Sequence, residues 1–157
     1  MTTNRQDVLI KSDSRGLYDL EIDGSDFASA YGFETAIPTS FFTDARASET
    51  QVQESHRRRG WAGNILYVDQ GRQLGGLLWI LDQARLINDT INFAKAFAED
   101  SLQWMLDDGV ALAVQIDVER TAIRAITIST DILAIDNTVQ RYITLWRATD
   151  LTRILPP

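Results

Sequence analysis

The sequence predicts an α+β fold: one compact domain in which an antiparallel β-sheet packs against a long amphipathic helix and one or two shorter helices. Residues 91–108 repeat apolar side chains at intervals of three and four, which is the period of a helix with one buried face. Gly109 follows at the position where helices commonly end. Beyond it, apolar and polar residues alternate, as in half-buried strands. Residues 1–157 are predicted to form this single domain, with an N-terminal arm at 1–15 and a C-terminal tail at 147–157.

The N-terminal part is predicted to consist of short elements. Residues 18–23 alternate apolar and acidic side chains, which predicts a half-buried strand, and Gly24 supplies the turn after it. Residues 34–42 favour a short helix with Pro38 in the first turn, where proline is tolerated. Pro38 is also compatible with an edge strand, so both interpretations stay open for this segment.

Residues 51–76 form a long polar connection, and long loops inside compact domains are often functional. Residues 77–86 predict an amphipathic helix or a buried segment that runs from a strand into a helix. Asn88 and Asp89 are suited to cap the long helix, because their side chains accept hydrogen bonds from its first backbone N–H groups.

The part after Gly109 is predicted to be a strand meander. One inner face carries alternate residues from Val110 to Val118, including Leu112, and the chain is predicted to turn around residues 119–121. The inner face continues at Ile126 and Ile128. The last strand, residues 139–146, is apolar on both faces. Val139, Ile143 and Leu145 share one face with Arg141, and Tyr142 and Trp146 share the other.

Composition excludes several classes of function. There is no cysteine, which excludes disulfides, thiolate catalysis, zinc fingers and iron–sulfur clusters. The single histidine, His56, leaves little scope for a histidine metal site or a Ser-His-Asp triad. The net charge of −7 argues against nucleic acid as a partner. No apolar run approaches the roughly 20 residues of a membrane helix, and no phosphate loop or dinucleotide motif is present. We therefore expect no cofactor, no metal and no membrane partner.

Most basic residues of the chain are arginine, and three of them are adjacent in one loop. Thirteen of the fifteen are arginine, which protein interfaces favour because its planar fork pairs with carboxylates and stacks on rings. A lineage bias in amino-acid usage explains the excess of arginine equally well. Arg57, Arg58 and Arg59 lie in one loop beside Trp61, which predicts a patch for an acidic protein partner with Trp61 as its anchor.

Two acids lie at the end of the long helix. Asp107 and Asp108 face the negative end of the helix dipole, which disfavours them. Adjacent residues at a helix end do not point into one cleft, so they do not form the carboxylate pair of a glycosidase. Pairing with an arginine, internal or from a neighbouring subunit, explains them better. The two-faced last strand is either central in its sheet or in contact with a partner through Tyr142 and Trp146.

Five segments together resemble a Mu-like phage tail protein family. They are GLYDLEIDGSDFA, GFETAIPTSFFTDARA, RRRGWAGN, LLWIL and FAEDSLQWMLDDGVALAVQIDV, and they occur in the family's order over about residues 16–146. That family is similar to the small wedge protein of contractile-tail baseplates, which has relatives in type VI secretion systems. The resemblance implies a subunit present in six copies around the tube or hub, in contact with other wedge proteins and with the first ring of the sheath.

The resemblance also implies two places for contacts. Many wedge relatives carry a Glu-Pro-Arg docking motif after the long helix, and residues 104–109 occupy that place without the motif. The acid-acid-glycine sequence Asp107-Asp108-Gly109 stands there instead. Relatives also carry Gly-Glu-Arg early in the chain, where only Arg46 matches. The residues that the sequence offers for partner contacts are therefore Arg46, Arg57, Arg58, Arg59, Trp61, Asp107, Asp108, Gly109, Tyr142 and Trp146.

These observations predict a non-enzymatic structural subunit of a phage tail baseplate, located in the virion and assembled in the bacterial cytoplasm. Two other classes remain open at this point. Abundant acids are compatible with a tail-associated muramidase-type peptidoglycan hydrolase. The loop from Arg57 to Trp61 is compatible with a free adaptor that binds another protein.

Overall fold

A computed structural model describes residues 7–13, 18–30, 32–70, 73–83 and 88–148. The predicted α+β class is confirmed: antiparallel sheets pack with one short and one long helix. The helices and strands of this part of the chain are, in order, β1 (Asp7–Val8), β2 (Ile10–Ser12), β3 (Tyr18–Leu20), β4 (Ile22–Asp23), β5 (Asp26–Phe27), β6 (Ser29–Ala30), α1 (Ala36–Phe42), α2 (Asn88–Asp107), β7 (Ala111–Ala122), β8 (Ala125–Ala134) and β9 (Val139–Arg147).

The first six strands form three antiparallel two-stranded arms. Strand β1 pairs with β6, β2 with β3, and β4 with β5. The arms meet where three backbone hydrogen bonds form a ring: Glu21 N–H donates to the Leu9 carbonyl (3.0 Å), Leu9 N–H to Ala28 (2.8 Å) and Ala28 N–H to Glu21 (2.9 Å). We call this arrangement the three-armed junction.

The prediction of one half-buried strand at residues 18–23 is wrong. The segment is divided between β3 and β4, because the Glu21 backbone belongs to the junction, and its side chains stay largely exposed. Its first residue packs on helix residue Phe42, with the two ring centroids 5.0 Å apart. The exposed fraction rises from 36% at Tyr18 to 46% at Leu20 and 67% at Ile22. The segment therefore runs away from the core.

Helix α1 confirms the favoured prediction for residues 34–42. Pro38 lies in its first turn, and Ile37 and Phe41 are buried. The Thr35 hydroxyl just before the helix holds the junction in place. It donates to the Val8 carbonyl at 2.6 Å and accepts from the Ile10 N–H at 3.1 Å.

Helix α2 and strands β7–β9 form the main layer, in which β8 is central. The helix buries Ala94, Ala98, Leu102 and Met105, the spacing that the sequence predicted. These residues share one apolar core with residues of the sheet and of α1: Ile37, Phe41, Ile116, Ile126, Ile128, Ile132 and Trp146.

The predicted strand meander is confirmed, with two corrections in β7. Leu112 is 55% exposed rather than buried, because the pairing shifts between Ala111 and Ala113 and reverses the alternation there. The chain does not turn at residues 119–121. Strand β7 continues to Ala122, which pairs with Ala125.

The middle of the chain carries short 3-10 helices rather than a long loop alone. They cover Ser55–Arg57, Ala62–Gln70 and Leu78–Gln83. The last of these lies within the segment predicted at 77–86, of which residues 84–86 lie outside the described residues. Residues 1–6, 14 and 15 of the predicted N-terminal arm and residues 149–157 of the predicted C-terminal tail also lie outside them.

Candidate interaction surfaces

Arg58 is held by the loop that contains it. Its Nε donates to the Val52 carbonyl (2.8 Å) and its Nη2 to the Gln53 carbonyl (2.9 Å). Its Nη1 lies 3.1 Å from the Glu49 carboxylate. Only 13% of the side chain is exposed, so Arg58 closes the loop from within and presents little surface to a partner.

Arg59 connects the loop to the 3-10 segment at residues 78–83. Its Nη1 lies 3.5 Å from the Asp44 carboxylate and 3.4 Å from that of Asp82, which is buried. Its guanidinium also lies over the Trp79 ring, 5.1 Å from the centroid, a cation–π arrangement. The Trp79 indole N–H donates to the Ala45 carbonyl at 2.9 Å. These groups form what we call the Arg59 latch.

Burial changes the pKa of one carboxyl in the latch, that of Asp44. Desolvation raises the pKa of Asp44 above its ordinary value, although the nearby Arg59 charge and hydrogen bond act in the opposite direction. The charged form of Asp44 is thus less favoured in the folded chain than in water. Arg59 offsets only part of that effect.

The other basic residues of the loop lie closer to solvent. Arg57 pairs with Glu54 at 3.1 Å, with 53% and 56% of the two side chains exposed. His56 is also exposed, 4.0 Å from Glu54. Arg46 donates to the Arg59 carbonyl at 3.3 Å. The structure therefore brings Arg46 next to the loop of residues 57–59, which the sequence did not predict, and provides acids of this chain for the three loop arginines.

Trp61 retains an accessible surface within that loop. Its side chain is 45% exposed and covers Gly63, where an added Cβ would collide with the ring. Its backbone N–H donates to the Asp44 carbonyl at 2.8 Å. The backbone is thus fixed while part of the ring remains accessible to a partner. The role of Trp61 as an anchor stays a prediction.

The end of α2 is a Schellman motif. Gly109 adopts φ +64°, its N–H donates to Leu106 (3.0 Å), and the Val110 N–H donates to Met105 (2.9 Å). The Asp107 carboxylate accepts a hydrogen bond from the Gln103 amide at 3.0 Å. Arg46, Arg58 and Arg59 make their contacts elsewhere, so none of these three is the internal arginine partner considered for Asp107 and Asp108.

Strand β9 directs its two aromatic residues inward. Trp146 is 4% exposed and belongs to the core. The Tyr142 hydroxyl accepts from the Phe33 N–H (3.0 Å) and donates to Gln140 (2.6 Å), and burial raises its pKa. Trp146 therefore works inside this fold, whereas Tyr142 is only partly buried and lines a groove along β9.

The other apolar face that the sequence predicted for this strand is the accessible one. Val139, Ile143 and Leu145 are 68%, 72% and 40% exposed. Arg141 beside them binds Asp131 of β8 through two hydrogen bonds of 2.6 Å, which lowers the pKa of Asp131. The two-faced pattern of β9 was the correct signal, but the accessible face is the aliphatic one.

A groove of about 580 Å³ follows the outer edge of β9. Its lining includes Ile10 and Ser12 of β2, Ile37 of α1, and Ile143 and Leu145 of β9. In the described sheet β9 is an edge strand. Strand pairing leaves half of the N–H and C=O groups of an edge strand directed outward, so this groove is a place where a further strand could add.

Two features are absent from the part of the chain that the structure describes. Its residues include no group of three or more His, Asp or Glu side chains suited to hold a metal ion. None of its helices is both long and apolar enough to cross a membrane.

Comparison with known proteins matches this chain to a phage family. The family described as Phage protein GP46 matches residues 33–143. The Baseplate protein gp46 of Escherichia phage Mu is 34% identical over 114 residues, covering 71% of this chain and 75% of that protein. The Mu-like prophage FluMu protein gp46 of Haemophilus influenzae is 37% identical over 81 residues, covering 52% of this chain and 53% of that protein.

Proposed function

The chain belongs to the GP46 family of phage proteins, and from this premise we propose that it is a structural subunit of a phage tail baseplate. Its place is the tail of the virion, after assembly in the bacterial cytoplasm. The name of the Mu relative, Baseplate protein gp46, supports this proposal. The match covers α1, the loop, α2 and most of the sheet, so the surfaces described above lie mainly in the shared region.

We further propose that the subunit belongs to the wedge of a contractile tail, in six copies. There it links other wedge proteins and the tube or hub to the first sheath ring. The proposed sheath contact is argued from the outer edge of β9. Natural edge strands are usually protected by charges, bulges or a covering segment. Strand β9 pairs with β8 without a shift, exposes its outer aliphatic side chains, and has the charge of Arg141 paired with Asp131.

The opposite edge of the sheet is better protected. Strand β7 carries irregularities near both ends, at Ala111–Ala113 and Arg120–Ala122. It also exposes three charged side chains close together, those of Asp117, Glu119 and Arg120. Bulges and charges of this kind discourage pairing with another chain. We therefore assign the sheath-facing edge to β9.

A lysine on the outer face of β9 tests this assignment. Ile143→Lys should impair sheath assembly on reconstituted baseplates, because it places a charge in the groove where the added strand would lie. Ile123→Lys is the matched control, since Ile123 is 79% exposed in the β7–β8 turn and Ile143 is 72% exposed. Electron microscopy of sheathed and bare baseplates gives the readout. Equal sheath assembly by both variants would contradict the assignment.

Two further measurements separate the structural role from the alternatives. A cryo-EM map of the intact tail should show this chain in six copies beside the sheath. Its absence from assembled particles would favour a free adaptor. Release of peptidoglycan fragments by the purified chain, lost in Asp107→Asn/Asp108→Asn without loss of folding, would favour a hydrolase.

A further inference from the structure

The arm formed by β4 and β5, residues 22–27, projects from the domain and contributes nothing to the main core. We call it the β4–β5 arm. Its two strands are joined by a two-residue turn in which Gly24 adopts φ +66°. All four strand residues are exposed. Isolated two-stranded hairpins are marginally stable in water, so the junction at its base must hold this one.

One face of the arm is apolar. Ile22 and Phe27 lie directly opposite each other in the pairing, 67% and 51% exposed. Leu20, on the neighbouring β2–β3 arm, is also 46% exposed. An apolar cross-strand pair at the end of an arm is suited to a contact with another protein.

The other face of the arm is acidic. Asp23 and Asp26 lie directly opposite each other, an arrangement that is destabilising for like charges. Residues 18–27 contain four carboxylates and no cation. Glu21 has a neighbouring cation in Lys11, at 3.4 Å. The excess negative charge at the tip therefore favours a partner that supplies arginine or lysine.

We propose that the β4–β5 arm inserts into a cleft of another tail protein, one wall of which is apolar while the opposite wall carries arginine or lysine side chains. Strand alternation places Ile22 and Phe27 on one side and the two aspartates on the other. A flat surface meets one side only, whereas a cleft meets both. The proposal rests on the proposed baseplate role in one respect, that the partner is a tail protein.

A second copy of this chain fits the arm less well. The arginines of its exposed loop already pair within the chain: Arg57 with Glu54, Arg58 with Glu49, and Arg59 with Asp44 and Asp82. The loop does not offer a cationic wall without breaking those pairs. The proposal therefore takes a different protein as the occupant, with self-association as an outcome of the test.

The first test removes the apolar side chains of the arm. The full chain is measured by biolayer interferometry against each tail protein encoded by the same phage, purified singly. Ile22→Ser/Phe27→Ser should weaken the wild-type interaction about 30-fold, because central apolar anchors dominate binding. The matched control is Ile65→Ser/Leu66→Ser, at residues 74% and 82% exposed, which should bind as wild type does. Since all four side chains are exposed, circular dichroism should show every variant folded.

The second test separates binding from folding by charge. Asp23→Asn/Asp26→Asn relieves the repulsion within the arm, so protection of its amides from hydrogen exchange should rise or stay level. Binding to the same tail protein should nevertheless fall about fivefold at low salt, and the difference should shrink at roughly 1 M salt, where charges are screened within about 3 Å. A purely structural role for the aspartates predicts no such loss.

The outcomes are distinct. Wild-type affinity in the Ile22/Phe27 variant, or unchanged affinity in the Asp23/Asp26 variant, would overturn the cleft while leaving the baseplate role intact. Self-association of the wild type that the Ile22/Phe27 substitution abolishes would show a second copy as the occupant and overturn it as well. If the wild type binds none of the tail proteins, the baseplate role and the arm proposal both fail.

Discussion

Apolar side chains are buried in the layer of α2 and strands β7–β9 but exposed in the three-armed junction. In the layer, Ala98 of α2 and Ile128 of β8 have no exposed surface. In the junction, Ile22 and Phe27 expose more than half of theirs. The layer is held by burial, and the junction by its ring of backbone hydrogen bonds and by Thr35. The layer therefore supplies the stability of the domain, whereas the junction offers an accessible surface for contacts.

The largest expected effect comes from emptying the centre of the layer. Ile128→Ala should lower the free energy of unfolding by about 2–5 kcal/mol, since it removes a buried side chain and leaves a cavity. Ile22→Ala should change it by less than about 0.5 kcal/mol, because that side chain is mostly in solvent. Chemical denaturation of both variants measures the difference. Similar losses would show that the junction is part of the same cooperative core.

The Arg59 latch is expected to rank second. Arg59→Ala leaves the buried Asp82 and the half-buried Asp44 without this cation, and should lower the free energy of unfolding by about 1–2 kcal/mol, discounted for the 42% exposure of Arg59. Arg57→Ala, in a mostly exposed pair, should change it by less than about 1 kcal/mol. Thermal unfolding followed by circular dichroism tests the order. If the two losses are equal, the latch does not connect the loop to the core.

Two glycines provide a matched comparison of the regions. Gly109 ends α2 at φ +64° and Gly24 turns the β4–β5 arm at φ +66°, both with nothing within 4 Å of an added Cβ. The conformational penalty of alanine is therefore alike, about 1 kcal/mol. Gly109→Ala should lower global stability by about that amount. Gly24→Ala should mainly speed hydrogen exchange of amides in the arm. A full global loss from Gly24→Ala would contradict the separation of the two regions.

The smallest effects are pH-dependent and opposite in sign. The pKa of Asp131 is lowered from 3.8 by its hydrogen bonds to Arg141, so this carboxylate stabilises the fold above pH 3.8 and loses that effect as the pH falls through its lowered pKa. The pKa of Asp44 is raised by burial, so its ionisation weakens the fold as the pH rises above 3.8. Thermal melts between pH 3 and 7 should show the advantage of wild type over Asp131→Asn shrinking in acid. The stability of wild type relative to Asp44→Asn should instead increase as the pH falls.

Sequence reasoning succeeded where the determining information is local. The spacing from Ala94 to Met105 was enough to predict the helix and its buried face, and Gly109 was enough to predict its end. Leu112 could not be assigned in the same way, because a pairing irregularity reverses the alternation and nothing in the strand signals it. Alternation in residues 18–23 predicted one half-buried strand, but it carries no information about the junction at Glu21 or about whether another element covers the apolar side chains.

The candidate surfaces were less predictable because they depend on long-range contacts. The arginine cluster was visible in the sequence, but Asp82, which pairs with Arg59, lies more than twenty positions away along the chain. In β9 both faces were apolar, and only the packing of α2 decides that Trp146 is internal and Ile143 external. Pairing residues across a fold requires its topology, which a single sequence does not contain.

The hydrogen-bond ring at Leu9, Glu21 and Ala28 also makes the β4–β5 arm independent in length. This arm leaves the ring as a separate ribbon that ends in its own turn, so residue pairs can be added at its tip without altering the ring or the main layer. One extra residue pair rotates the tip onto the opposite face, whereas two pairs restore the original orientation. Insertions at the Gly24 turn would therefore adapt this arm to a different partner while the helix–sheet layer stays constant.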